Sequence, residues 1–189
     1  PRAHTPRGGV QQAGLGGGSA DAAAALRLAA RLWGLPDDVS ALVPIAARLG
    51  ADVPSCLAAR TCFGTGTGTE LTPIDVAVAG KPILLVNPRL PCPTGPVFQA
   101  WDGQDRGPLN PMAWPSARND LEAPALQLVP RIGDVLAHLR ALPGVDVARM
   151  SGSGATCFAI FHNFDARDQA EAALQTAEPG WWILATQLR

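Results

Sequence analysis

Tyrosine is absent from the sequence and lysine occurs once, at Lys81. A Walker-type phosphate loop needs a lysine directly after its last glycine, and the glycine-rich segment over residues 14–18 is followed by Ser19, so that solution to phosphate binding is excluded there. Long apolar runs are missing too: Arg, Asp and Pro interrupt each hydrophobic stretch before the roughly 18 residues that a membrane helix requires. Cys56, Cys62, Cys92 and Cys157 form no CxxC pair, and neither they nor His4, His138 and His162 have metal-ligand spacing. With no signal-peptide pattern in front of them, they are expected to be free thiols of a soluble protein in a reducing cytoplasm. Charge of one sign is also lacking. Fifteen Lys+Arg against 16 Asp+Glu give a formal net charge of -1, so there is no basic surplus for nucleic-acid binding.

What is present suits a folded chain of one or two domains: 189 residues, 47% hydrophobic, enough to bury a core without staples. Pro1 to Gln12 has no apolar period and reads as an irregular arm or the cut end of something longer. Ala22 to Leu35 has helical composition, with stripes Leu28, Leu32, Leu35 and Leu26, Ala30, Trp33, stopped by Gly34 and Pro36. A second helix is predicted over Ser40 to Leu49, with Leu42, Val43, Ala46 and Leu49 inward and Pro44 tolerable only in its first turn. Thr61 to Leu71 reads as strand, tight turn, strand.

A boundary near Gly80 divides the chain into domains 1–79 and 80–189. In the second, Ile83 to Val86 suits a buried strand leading into a Pro-rich loop over Asn87 to Pro96, followed by an irregular stretch through Trp101 to Arg118. Asn119 and Glu122 stand at capping-box spacing ahead of a helix predicted to end near Leu142. Val145 to Met150, Thr156 to Phe161 and Trp181 to Leu188 read as strands, with a helix over Asp165 to Thr176 between the last two. This order gives an α+β, ferredoxin-like second domain.

The segment Gly14-Leu15-Gly16-Gly17-Gly18-Ser19 directly precedes the first helix. Glycines let backbone N–H groups approach an anion, and a helix start presents the positive end of its dipole, which together make a phosphate cradle. A dinucleotide fingerprint fails because its third glycine would fall on Ser19, and a nucleophile elbow fails because Asp21 stands two residues after Ser19. The plainer alternative is a glycine-rich turn capping the helix through Ser19. Asp21 is expected in the helix's first turn, complementing the dipole. Asp52 follows the helix-stopping Gly50 by two residues, where the dipole disfavours an acid, so stability does not ask for one there. With Pro54 holding Val53 extended, Asp52 could project as a general base from a fixed loop, or simply bond its own backbone in a turn. Ser151-Gly152-Ser153-Gly154 lies between two strands, either a hairpin turn or a place where backbone approaches a ligand or another loop.

The run from Gly14 to Ala24, Gly-Leu-Gly-Gly-Gly-Ser-Ala-Asp-Ala-Ala-Ala, resembles the phosphate-binding motif of the GHMP kinase superfamily, and within it the 4-diphosphocytidyl-2-C-methyl-D-erythritol kinase family. Leu49-Gly50-Ala51-Asp52-Val53-Pro54 and Arg149-Met150-Ser151-Gly152-Ser153-Gly154-Ala155-Thr156 match in the same order. The resemblance implies the two-domain GHMP kinase fold, a ribosomal-protein-S5-like domain and a GHMP C-terminal domain, with ATP and Mg²⁺ as cofactors and a small cytidine-linked alcohol as substrate. It implies ATP binding by Gly14, Leu15, Gly16, Gly17, Gly18 and Ser19, and by Gly152, Ser153 and Gly154 closing the site. It makes Asp52 the residue that takes the proton of the attacking hydroxyl, and Thr94 an acceptor contact. The family's N-terminal segment, with a Lys partnering the catalytic Asp and aromatic and His residues for the cytidine, has no counterpart here, which reads as an N-terminally truncated kinase. Another small alcohol as acceptor, or an inactive truncated paralogue, stays open at this point.

Overall fold

A computed structural model describes residues 14–35, 39–66, 68 and 70–188. The expected arm over Pro1 to Gln12, the stop at Pro36 and two positions of the Gly-Thr turn lie outside the described residues. The chain divides into two compact units, Gly16–Ala77 and Val78 onward together with Gly14 and Leu15.

In the first unit α1 spans Gly17–Leu32, a 3-10 turn covers Val39–Leu42, and α2 (Val43–Leu49) and α3 (Val53–Ala58) follow. Ala23, Ala30, Leu42, Ala46, Val53 and Leu57 form the core. The alanine-rich α1 contributes Ala23 and Ala30 to this core, where they meet larger side chains of the other helices. Helix α1 starts five residues before the Ala22 expected from composition. Its leucine stripe is not buried: Leu28, Leu35, Leu32 (84% exposed) and Trp33 (77%) face outward, and only Leu26 and Ala30 of the stripes pack inside. Leu42 and Ala46 are buried as expected, whereas Val43 and Leu49 are exposed, and Pro44 occupies the first turn of α2, where no backbone donor is lost. Arg27 of α1 donates to the carbonyls of Cys56 and Leu57, serving acceptors that the end of α3 leaves open. A hairpin of β1 (Cys62–Thr65) and β2 (Glu70–Pro73) completes the unit, pairing Cys62 with Pro73 and Thr65 with Glu70.

The second unit is built on four antiparallel strands, β3 (Pro82–Asn87), β4 (Val145–Met150), β5 (Cys157–Phe161) and β6 (Trp182–Gln187), in the spatial order β4-β5-β3-β6. Helix α7 (Phe164–Ala177) carries the chain from β5 to β6 across the intervening β3, the split arrangement of a ferredoxin-like sheet. Alternation sorts the strand residues. Leu84, Val86, Ala159 and Phe161 face the helices, while Ile83, Ile160 and Phe158 face a smaller cluster with Trp114. The expected helix ending near Leu142 is two helices, α5 (Glu122–Leu128) and α6 (Arg131–Ala141), because Pro130 has no amide to continue α5 and takes the N-cap of α6. A short helix over Thr94–Gln99, here α4, replaces part of the predicted loop, and Pro111–Ser116 forms 3-10 turns in the stretch read as irregular. Ile132, Val135, Leu136 and Leu139 of α6 are fully buried under the sheet.

No described helix is long and apolar enough to cross a membrane, and all four cysteines are free. Burial pushes the Cys157 thiol up to about 12 and raises that of Cys92. A thiol whose folded value lies above its unfolded one stabilises the fold below the unfolded value, and that contribution is lost as pH rises toward the folded one. Stability is therefore expected to fall between about pH 9 and 12. In native protein at pH 8 a thiol reagent should modify Cys56 and Cys62, with Cys92 and Cys157 reacting only at the rate of unfolding. Four equally fast thiols would contradict this burial.

Candidate active site

The glycine-rich segment performs two different tasks. Gly14 has φ +67°, and a Cβ placed on it would lie 2.3 Å from the Ser151 carbonyl oxygen and 2.9 Å from that of Gly154. No side chain fits between these backbones. Gly16 also has a positive φ, +63°, and is the N-cap of α1, but a Cβ on Gly16, Gly17 or Gly18 would meet nothing within 4 Å. Among the described residues nothing obstructs the backbone at these three glycines.

The first bond of α1 runs from the Ala20 amide to the Gly16 carbonyl at 2.8 Å, and Gly16 has no side chain to cap the helix. The amides of Gly17, Gly18 and Ser19 therefore have no intrahelical acceptor. Ser19 lies inside the first turn rather than at the cap, which removes the reading of this segment as a serine-capped turn. Asp21 falls beyond the first turn, contrary to expectation. Among the described residues the head of α1 thus combines amides without an acceptor, the positive end of a 16-residue helix and no side-chain obstruction.

Asp52 is exposed and stands at the N-cap of α3, without a capping bond from its carboxylate. Val53 is the first residue of that helix and not an extended linker, because Pro54 is accommodated at the second helical position. This changes the electrostatic argument: the carboxylate sits beyond the end of α2 but also ahead of the start of α3, where the dipole favours an acid. What holds the position is backbone. The Asp52 carbonyl accepts from Ser55 Oγ at 2.8 Å and from the Cys56 amide at 3.2 Å, and no described residue bonds the carboxylate.

Ser151 to Gly154 connect the antiparallel strands β4 and β5, so the hairpin reading of this segment holds, and it is also a place of close backbone approach. Ser151 donates its hydroxyl to the Gly14 carbonyl at 2.7 Å. The Ser153 hydroxyl meets that of Thr94, the first residue of α4, at 2.9 Å, and the Cys92 thiol donates to the Ser153 carbonyl at 3.2 Å. The structure thereby brings Gly14, Thr94 and Gly152–Gly154 together within the second unit. Gly16 to Ser19 and Asp52 belong to the first.

Three residues outside the sequence-derived set also hold this turn. Asn87, fully buried, donates to Thr156 Oγ1 at 2.9 Å just past the turn, and Cys92 is the thiol donor already named. Asn119 is the third. Its place before α5 resembles a capping box with Glu122, but the N-cap of α5 is Leu121, and Asn119 instead donates to the Met150 and Gly152 carbonyls at 3.0 and 2.8 Å. Glu122 pairs with Arg140 at 3.2 Å. An Asn directly after the apolar run Ile83 to Val86 was the one available signal for Asn87. Nothing in local spacing reveals the long-range partners of Cys92 or Asn119.

Against known proteins, the family description "GHMP kinases N terminal domain" matches residues 6–60, and "GHMP kinases C terminal" matches residues 102–179. The chain belongs to the GHMP kinase family. It is 57% identical over 182 residues to the 4-diphosphocytidyl-2-C-methyl-D-erythritol kinase of Novosphingobium aromaticivorans, covering 94% of this chain and 61% of that protein. It is 53% identical to the protein of the same name from Rhizorhabdus wittichii, covering 94% and 62%. The chain thus spans a little over three fifths of the length of these relatives. A crystal structure of 4-(cytidine 5'-diphospho)-2C-methyl-D-erythritol kinase superposes with a TM-score of 0.74 at 35% identity, covering 94% of this chain and 67% of that one.

For this GHMP kinase the two classes of glycine predict opposite effects. Gly14→Ala should destabilise by more than about 2 kcal/mol, since it adds left-handed strain to a backbone overlap. Gly17→Ala should stabilise by up to about 1 kcal/mol, since it replaces an unobstructed helical glycine. Equal effects in thermal unfolding would contradict the division of roles.

Proposed function

We propose that the chain carries the phosphoryl-transfer residues of an ATP-dependent kinase that phosphorylates the 2-hydroxyl of 4-diphosphocytidyl-2-C-methyl-D-erythritol, a cytoplasmic step of the non-mevalonate route to isoprenoid precursors. The observation that carries the reading is the open, side-chain-free backbone at the head of α1 with its spare amides, in a chain 57% identical to a protein of that name.

In this reading Gly14, Leu15, Gly16, Gly17, Gly18 and Ser19 form the segment that receives the triphosphate. The amides of Gly17 to Ser19 donate to phosphate oxygens and the helix dipole stabilises their charge. Gly152, Ser153 and Gly154 close the nucleotide site, and Thr94 contacts the acceptor. Asp52 takes the proton from the 2-hydroxyl, whose oxygen forms the new bond to the γ-phosphorus as the bond to the bridging oxygen breaks and ADP leaves. The protein's contribution is chiefly positioning and charge stabilisation. Asp52 suits its role because its carboxylate is exposed, uncommitted to any hydrogen bond or ion pair within the described residues, and mounted on a backbone fixed by α3. A Mg²⁺ bound with the triphosphate would have the Ser19 hydroxyl, in the first turn of α1, as a protein donor. Mg²⁺ would supply neutralising charge on the phosphates.

The test is γ-phosphate transfer from ATP to this acceptor by the full-length protein. Asp52→Asn should lower kcat at least 100-fold with ATP affinity unchanged, the span expected for loss of a general base. Gly17→Ala should weaken ATP binding although it does not harm the fold. Transfer undiminished in Asp52→Asn, or an acceptor that does not bind, refutes the assignment.

A further inference from the structure

We infer that Asn119 is a positioning residue for the nucleotide-binding turn, acting through the Gly152 carbonyl to aim the Ser153 amide. The inference rests on the reading that Gly152 to Gly154 close the ATP site. Asn119 uses every polar position of its side chain. Its Oδ1 accepts from the Leu121 amide at 3.0 Å, and its Nδ2 donates to Met150 O at 3.0 Å and Gly152 O at 2.8 Å. The first bond is a local turn of the kind any Asn can make ahead of a helix. The other two cross more than 30 residues to the last residue of β4 and the first glycine of the turn.

The consequence follows from peptide geometry. In a trans peptide the carbonyl of one residue and the N–H of the next point in opposite directions. The Gly152–Ser153 bond is trans, so holding the Gly152 oxygen against Asn119 turns the Ser153 N–H away from it. Gly152 sits at φ +53°, so without a tether its peptide plane has the freedom that only glycine allows. No hydrogen bond within the described residues occupies the Ser153 amide, whereas the neighbouring amides of Ser151 and Gly154 bond to Thr156 O and Ser151 O, both at 2.9 Å. The Gly152 amide is likewise without a partner within the described residues, so the turn presents two uncommitted donors, and Asn119 sets the direction of the one at Ser153. On the opposite side, Cys92 and Thr94 hold the carbonyl and hydroxyl of Ser153. Ser153 is thus gripped at three points, with its amide left for a ligand.

Asn119→Asp separates this role from helix capping. An aspartate keeps the volume and the acceptor for the Leu121 amide, but has no Nδ2 donors and places a carboxylate against two carbonyl oxygens. In the full-length protein Asn119→Asp should raise both the KM and the dissociation constant for ATP at least tenfold. Acceptor KM should stay within twofold, and the unfolding temperature should fall by no more than a few degrees. Asn119→Ser, whose hydroxyl can donate to one carbonyl, should recover part of the ATP affinity. An unchanged ATP KM in Asn119→Asp overturns the inference. So does an equal rise in both KM values accompanied by collapse of thermal stability, which would mark the residue as purely structural. If the unsubstituted protein binds no ATP, the functional reading itself has failed. Asn119 is then judged by amide exchange alone, which must be at least tenfold faster at Gly154 in Asn119→Asp for the tether to stand.

Discussion

Two stretches of backbone, at Gly14 and at Ser151 to Gly154, lie too close for any side chain to stand between them. Much of the second unit can be understood as meeting the demands of that contact. Peptide groups packed at this distance must present complementary edges, and the Ser151 hydroxyl supplies the bond by donating to the Gly14 carbonyl. The turn must then keep one shape, although three of the residues brought together, Gly14, Gly152 and Gly154, have positive φ and little conformational preference of their own. Its rigidity comes from neighbours: Asn119 on one side, Cys92 and Thr94 on the other, and Asn87 through Thr156 beneath.

Those neighbours arrive because of the sheet. Placing β5 between β4 and β3 sets the β4–β5 turn beside the end of β3, so the loop after Asn87 delivers Cys92 and Thr94 to it. Buried polar groups are costly unless paired, and no buried side-chain N or O atom among the described residues lacks a partner. Asn87 is fully buried in an apolar strand, and its bonds to Thr156 and to the Arg89 amide answer that requirement while fixing both sides of the turn. The first unit differs: its core is small, with alanines of α1 and α2 beside Leu42, Val53 and Leu57, and no described side chain meets the head of α1.

The strands of the second unit and α7 were legible because period-two alternation and strong apolar runs are local properties. The glycine-rich segment heading α1 was legible too, since it is made of consecutive residues, although α1 begins earlier than expected. The failures have a common origin in properties that local pattern does not encode. Leu28 and Leu32 form a helical stripe, yet α1 packs through alanines, and periodicity records a stripe without saying which face another element covers. Pro130 broke one predicted helix into two, and Pro96 began inside a loop that turned out to hold α4. Asn119 imitated a capping box by spacing while the partners of its Nδ2 lay more than 30 residues away. Asp52 was singled out for a reason that the structure revises: α3 begins immediately after it, so its backbone is held by that helix rather than by an extended proline-bound loop.

The geometry of this turn is set by protein contacts, so the nucleotide site proposed here would be preorganised before any phosphate arrives. Amide hydrogen exchange at Ser151 and Gly154, with and without ATP, tests this most directly. Both amides should be protected to a degree close to that of β4 and β5 in the free protein, and ATP should add little. Exchange at the rate of an open loop, slowed only when nucleotide binds, would mean that the ligand rather than the fold shapes the turn.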